Sequence, residues 1–191
     1  MAGNAVAPTG LRLNSENQFF VDTQGNTDLT NLKQAKLVWL ANGVQGATFA
    51  NNETAVNNDF YNMKGFGSTF VTGKRLTIAM TGLHVVDDEA QGFIASKFLA
   101  VGNDLRTLFV WKSVSGDLMA GVVTLQNIVP TGGNANAFET FSVTIAFEGK
   151  PKKVTADQVT LPAVAYVGDD VDSTPATANT AKTDESKVAG E

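Results

Sequence analysis

The chain contains no cysteine, which excludes a disulfide framework, thiolate chemistry and zinc sites built on sulfur. Histidine is nearly as scarce, with His84 standing alone. A zinc-binding helix of the HExxH kind needs two imidazoles, and a Ser-His-Asp relay would have to run through this one residue. Long apolar runs are also missing: no stretch approaches the roughly 18 residues of a membrane-spanning helix. The start, Met1-Ala2-Gly3-Asn4, lacks the basic and apolar regions of a signal peptide. Neither membrane insertion nor export by the general secretory route is expected. Positive charge is limited too, since 14 Lys and Arg face 19 Asp and Glu for a net charge of −5. Residues 161–191 hold −4 of that, through Asp169, Asp170, Asp172, Asp184, Glu185 and Glu191 against Lys182 and Lys187. A nearly neutral body without a basic stripe has no footprint for gripping phosphate backbones.

What is present is enough apolar material for one core: 191 residues, 43% of them hydrophobic, suit a single domain with appendages. Residues 1–10 read as an N-terminal arm and 11–150 as the folded body. A C-terminal arm over 151–166 follows, and then a disordered acidic tail over 167–191, which is poor in apolar side chains and has no aromatic residue.

Within the body, apolar residues recur at every second position or in short β-branched and aromatic runs, the pattern of strands. Leu76, Ile78 and Met80 share one face, as do Phe141, Val143, Ile145 and Phe147, with Thr and Ser opposite. Leu11–Leu13, Phe19–Val21, Leu37–Leu40, Leu108–Trp111 and Gly121–Leu125 are further strand candidates. Asn42-Gly43, Thr72-Gly73, Ser115-Gly116-Asp117 and Gly132-Gly133-Asn134 supply turn chemistry between them. One helix is expected over 88–101: Asp88 and Gln91 are spaced as a capping box, Ala90, Phe93, Ile94, Phe98 and Val101 fall largely on one face, and Gly102 stands where a left-handed cap would end it. The polar segment 46–73 is long for a loop inside a compact domain. Its aromatic residues Tyr61, Phe66 and Phe70 argue against simple disorder, so it reads as an extended hairpin or arm that docks on a neighbour.

Candidate chemistry is thin. His84 lies near Asp87, Asp88 and Glu89, but no second imidazole or thiol accompanies it, and the alternating acids of a calcium loop are absent. Helix capping accounts for the three acids more simply. Gly65-Phe66-Gly67 lacks the third glycine of a dinucleotide fingerprint, and Gly132-Gly133-Asn134 lacks the Lys-Ser or Lys-Thr of a phosphate loop. Lys150, Lys152 and Lys153 read as a solvated strand exit, and Trp39 and Trp111 as core or interface residues. No catalytic residue, cofactor or metal ligand is assigned.

Three stretches in order carry a family resemblance: Phe109-Val110-Trp111-Lys112-Ser113-Val114-Ser115-Gly116-Asp117, then Gly121 through Ile128, then Thr131-Gly132-Gly133-Asn134 through Phe147-Glu148-Gly149-Lys150-Pro151. This order of Trp, small turn, strand, Gly-Gly-Asn turn, strand and Gly-Lys-Pro resembles the closing hairpin of the major tail proteins of long, non-contractile phage tails, especially those of phages of Gram-positive hosts. Thr72-Gly73-Lys74 through Gly82, the Asp87-Asp88 helix start and Gly102 resemble the family's middle section, so that the resemblance covers residues 9–153. It departs from longer family members in ending with a short acidic tail rather than an added immunoglobulin-like domain.

The resemblance implies a mainly β, sandwich or barrel-like tail-tube fold with one flanking helix. It further implies six-membered rings that stack into a tube in the virion, assembled in the bacterial host cytoplasm. The tube would enclose a tape-measure protein, join tail terminator and distal tail proteins, and let double-stranded DNA pass without specific binding. On this view the strands put their small Thr, Ser and Asn positions toward the lumen. The 46–73 segment reaches the next ring, with Asn51, Glu53, Asp59, Tyr61, Lys64, Phe66 and Phe70 expected at that contact. The competing expectation is a carbohydrate-binding or adhesin module of the tail tip, using Trp39, Tyr61 and Trp111 as stacking surfaces.

Overall fold

The computed structural model describes residues 10–166. The expected tail over 167–191, and all but the last residue of the expected N-terminal arm, lie outside the described residues. Ten strands and one α-helix follow in the order β1 (Gln18–Asp22), β2 (Leu37–Trp39), β3 (Val44–Ala50), β4 (Glu53–Asp59), β5 (Gly67–Lys74), β6 (Thr77–Leu83), α1 (Glu89–Ser96), β7 (Arg106–Lys112), β8 (Leu118–Val129), β9 (Thr140–Phe147) and β10 (Lys152–Val154). All pairings are antiparallel. The main sheet has the order β2-β1-β7-β8-β9-β6-β3, with β10 against the start of β8, and β4-β5 form a separate hairpin.

Strands β6 and β9 arise where the alternation put them. In β6, Ile78, Met80 and Gly82 are buried while Ala79 and Thr81 are exposed, and in β9 Phe141, Val143 and Ile145 are buried. Strands β1 and β7 are buried on both faces, with Phe19, Val21 and Phe109 in one cluster and Phe20, Leu108 and Val110 in the other. The long strand β8 belongs to both halves: its early residues lie between β7 and β10, and its later ones run beside β9.

The sheet is rolled. Phe49 of β3, at one border, packs 4.6 Å from the Trp111 ring of β7 and 6.1 Å from Phe19 of β1, centroid to centroid, although those strands stand far from β3 in the hydrogen-bonded order. Phe109 meets Phe147 edge-on at 6.0 Å. Only a sheet curled on itself brings these rings together, so β2-β1-β7 and early β8 face late β8, β9, β6 and β3 across the larger cluster. Ala90 and Ile94 of α1 enter the same cluster. The curl does not close: β2 and β3 are not hydrogen-bonded to each other. A cleft of about 680 Å³ opens beside them, lined among others by Trp39, Leu40, Val44, Ala47 and Tyr166.

The outer face of β1, β7 and early β8 carries the second cluster, covered by Leu32 and Ala35 and by Val154, Val159, Leu161 and Val164. The segment expected as an arm after Pro151 thus lies against its own body, and Thr160 Oγ1 donates to the Lys33 carbonyl at 3.1 Å.

Three expectations need correction. Leu11 and Leu13 form no strand and are 79% and 70% exposed, because no neighbouring strand exists for them to pair with. Helix α1 stops at Ser96, well short of 101; Ser96 Oγ donates to the Phe93 carbonyl at 2.6 Å, and Lys97 and Phe98 donate their backbone N–H groups three residues back rather than four. Competition by a hydroxyl for a helical carbonyl favours this kind of unwinding, and Phe98 and Val101 are left 54% and 79% exposed. Thr72-Gly73 is no turn but lies inside β5, where the partner register shifts between Thr54 and Ala55; a glycine in a strand at a bulge is a recognised use.

Gln91 does more than a capping box would ask. Its N–H donates to Asp88 Oδ1 at 2.8 Å, which caps the helix, but its side chain is fully buried elsewhere. Nε2 donates to the carbonyls of Asn42 at 2.6 Å and Leu83 at 3.2 Å, and Oε1 accepts from the Val85 N–H at 2.9 Å. The backbones it ties approach so closely that a Cβ on Gly82 would stand 2.1 Å from the Gly43 carbonyl. Truncating Gln91 orphans these buried groups, so Gln91→Ala is expected to lower unfolding free energy by about 3 kcal/mol in urea titration.

Candidate assembly surfaces

The first surface is the projecting arm. β3 and β4 run on from one another through Asn51 and Asn52, and β5 runs into β6 through Arg75 and Leu76, so one long hairpin leaves the body where β3 ends and β6 begins. The expectation placed the arm from residue 46; the structure places Gly46–Ala50 in the body, paired with β6, and starts the free hairpin at Glu53. Asn52 staples the elbow: its Nδ2 donates to the Arg75 carbonyl at 3.2 Å and to Thr77 Oγ1 at 3.0 Å, and its carbonyl accepts the Arg75 N–H.

Every residue expected at the inter-ring contact lies on this arm or at its root. Asn51 sits at the elbow, and Glu53 at the base pairs with Lys74 at 2.7 Å. Phe70 stands opposite Val56 halfway along, both largely exposed. Asp59, Tyr61, Lys64 and Phe66 occupy the tip, where Tyr61 opens a 3-10 turn and Lys64 takes a left-handed φ of 50°. Phe60, Tyr61 and Phe66 are 51%, 108% and 78% exposed. A two-stranded hairpin has little stability of its own in water, and this one holds aromatic rings out to solvent.

The second surface is the outer face of β3, β6, β9 and late β8. Directly opposed residues of antiparallel strands share a face. The registers therefore gather Thr48, Ala50, Thr77, Ala79, Thr81, Ser142, Thr144 and Gln126 on the side away from the core. All are exposed or half-buried, and none is charged. Where the arm leaves, this face continues into a polar hollow of about 770 Å³ lined by Asn52, Glu53, Lys74, Arg75, Gln126 and Thr144, among others.

Charge begins at the margin of the face. Glu148 accepts from Arg106 through both carboxylate oxygens and from Thr124 Oγ1 at 2.7 Å. The Arg106 guanidinium first, and the Thr124 hydroxyl second, hold its carboxyl below the ordinary glutamate range.

The third surface is the border strand β3. Its backbone pairs with β6 on one side only, while on the other the Ala47 carbonyl meets Asn14 Nδ2 at 3.4 Å. A seven-residue border of this kind is a template for pairing with another chain.

The aromatic platform expected for a glycan reader does not assemble. Trp111 packs in the larger cluster and donates Nε1 to Asn17 Oδ1 at 3.1 Å, Trp39 packs in the other cluster beneath Tyr166, and Tyr61 is on the arm. His84 Nδ1 lies 2.9 Å from Glu139 Oε2, joining the end of β6 to the approach to β9. No group of three metal-capable side chains occurs among the described residues. No described helix is long and apolar enough to cross a membrane.

No protein-family model and no curated protein matches the sequence. Solved structures do. A chain from the tail of an empty gene transfer agent particle, obtained with helical refinement and C6 symmetry, superposes with a TM-score of 0.59 at 12% identity, over 76% of this chain and all of that one. The fold is shared with tail proteins. A chain from the virion of a native gene transfer agent gives a TM-score of 0.57, again at 12% identity and over 76% and 100% of the two chains. A chain of the anti-feeding prophage tube-terminating cap covers 82% of this chain at 10% identity with a TM-score of 0.48, too low to weigh. The mainly β architecture with one helix expected from the sequence is therefore the observed one, whereas the Gram-positive affinity has no counterpart in these likenesses.

Two outcomes follow from the geometry. Asn52→Ala removes the elbow staple without touching the core. It is expected to leave thermal unfolding of the body within about 1 kcal/mol of the parent while limited proteolysis at the elbow becomes faster. Because the Glu148 carboxyl titrates lower in the folded chain, its pairing adds stability above the unfolded value near 4.5 and loses it as pH falls through the folded value. Denaturation followed from about pH 6 to pH 3 should show a shallower acid loss for Glu148→Gln than for the parent.

Proposed function

We propose that this chain is the structural subunit of a phage-like tail tube, in which copies join into rings, rings stack, and the outer face of β3, β6, β9 and late β8 lines the lumen. The observation that carries the reading is a solvent-facing sheet without a charged side chain, on a fold shared with a chain from a gene transfer agent tail and a chain from a gene transfer agent virion, over the whole length of each. In this role the protein catalyses nothing.

A wall that conducts DNA must not hold it. Each lysine or arginine set against phosphate releases counterions and strengthens non-specific binding, and an apolar wall would retain any protein packed inside. Hydroxyls and small side chains keep a hydrated surface instead. The open border of β3 supplies the joint between copies, since a head-to-tail contact that closes by rotation gives a ring with no border left over. The C6 symmetry of the gene transfer agent tail supports six copies per ring. A tape-measure protein within the lumen, terminator and distal tail proteins at the ends, passage of double-stranded DNA and a place in the virion complete the proposal.

Negative-stain imaging of the purified chain tests it. Tubes or rings of uniform diameter are expected, and compact particles at every concentration would overturn the proposal. Combining Tyr61→Ala with Phe66→Ala is expected to give a folded protein that sediments as small species without tubes; unaltered tubes would remove the arm from ring stacking.

A further inference from the structure

Strand β7 accompanies β8 only as far as Thr124, the partner of Arg106. Residues 125–129 of β8 pair with β9 alone, so the main sheet has a further open border there besides those of β2 and β3. Strands β8, β9, β6 and β3 alternate in direction. Rotation about an axis running along them sets β3 of one copy antiparallel to late β8 of the next, which continues the pairing pattern of the sheet. The paired rows place Phe49, Thr48 and Gly46 of β3 level with Leu125, Gln126 and Val129 of β8.

Each of these two borders has an unfinished apolar feature beside it. At the β8 border the chain leaves α1 and runs through residues 97–101 into the turn Gly102–Leu105, and both α1 and that turn lie against β8. The connecting strap turns Leu99 outward, 87% exposed and the most exposed leucine or valine of the described residues, with Val101 and Phe98 beside it. At the β3 border lies the cleft lined by Leu40, Val44 and Ala47, which has no charged residue in its lining. Tyr166 covers Trp39 there only edge-on, and the indole Nε1 is buried without an acceptor, an arrangement that costs stability.

Resting on the tube reading, we infer that within one ring the strap of each copy, residues 98–101, fills the cleft of its neighbour, with Leu99 and Val101 seated against Leu40, Val44 and Ala47. Three observations select this occupant. Strap and cleft stand beside the two borders that a rotation brings together. They lie on the same side of the joined sheet, away from the lumen: α1 enters the larger cluster through Ala90 and Ile94, and Val44 and Ala47 pack against that cluster from β3. Neither surface carries a charge, since residues 98–101 are Phe, Leu, Ala and Val, so apolar burial is gained without desolvating an ion. Backbone pairing would then hold the lumen side of the joint and the strap its outer side.

The absence of cysteine makes the test direct. Gln45 lines the cleft and is exposed, as Leu99 is on the strap. A Gln45→Cys, Leu99→Cys double variant, assembled and joined with a short bismaleimide, is expected to give a ladder on denaturing gels that ends at the number of copies counted in one ring. A contact inside a closed ring runs out when the circle is complete. Either single variant gives dimers at most. A ladder that runs past the ring number puts the contact between rings, and tubes without a ladder give the cleft another occupant; each overturns this docking and leaves the tube reading standing. Leu99→Asp combined with Val101→Asp alters no residue of either core cluster. It is expected to leave thermal unfolding unchanged while raising the concentration at which rings appear at least about tenfold, and unaltered assembly by this variant likewise overturns the docking. A parent chain that forms neither rings nor tubes overturns both readings.

Discussion

The structure depends on one packing event, the closure of Phe49 against Trp111 and Phe19. Phe49 belongs to a strand that pairs with neither β1 nor β7, so its contact with their rings decides that the main sheet curls rather than lying flat. Curling gives the larger apolar cluster an inside, which Ala90 and Ile94 of α1 complete. It also turns the other side of β3, β6, β9 and late β8 permanently toward solvent. With apolar side chains committed inward at every second position, the remaining positions on those strands are available for a surface duty, and Thr, Ser and Ala occupy most of them.

The two halves of the curl are treated differently. The outer side of β1 and β7 is covered by the chain itself, through Leu32 and Ala35 and the segment around Val159. On the outer side of β6 and β9 Ala146 alone is buried, and the other residues there are exposed or half-buried. This asymmetry fits a subunit with one side turned to its own chain and one side turned to a passage. It also leaves the border strand β3 adjacent to the bare face, so that copies joined at that border would extend the bare face from one to the next.

Much of this was legible in the residues. Alternation located β9 almost to the residue and β6 up to Met80, and short apolar runs located β1, β2, β7 and part of β8. The start of α1 was readable because Asp88 and Gln91 encode a local hydrogen bond. Its end was not, because Phe98 and Val101 continue the helical period while the Ser96 hydroxyl unwinds the backbone beneath it. Leu11 and Leu13 show the converse failure, alternation without a neighbour to pair with. The arm concealed its strands since both faces are wet, so no period of two is written into Glu53–Asp59; only its length and aromatics set it apart. The hydroxyl-bearing face was foreseeable from the Thr and Ser positions opposite the buried ones. The curl, and with it the choice of which face stays bare, depends on contacts between distant strands that no local pattern records.

The elbow at Asn52 joins two sheets that are each internally paired but not paired to one another. Rigid plates linked by a short pivot behave like a jointed chain. In a filament forced to curve, spacing along the inner side shortens and along the outer side lengthens. In the proposed tube, the pivot would take up that difference by changing angle while the ladders on both sides stay intact, so that curvature would be absorbed between subunits without breaching the wall.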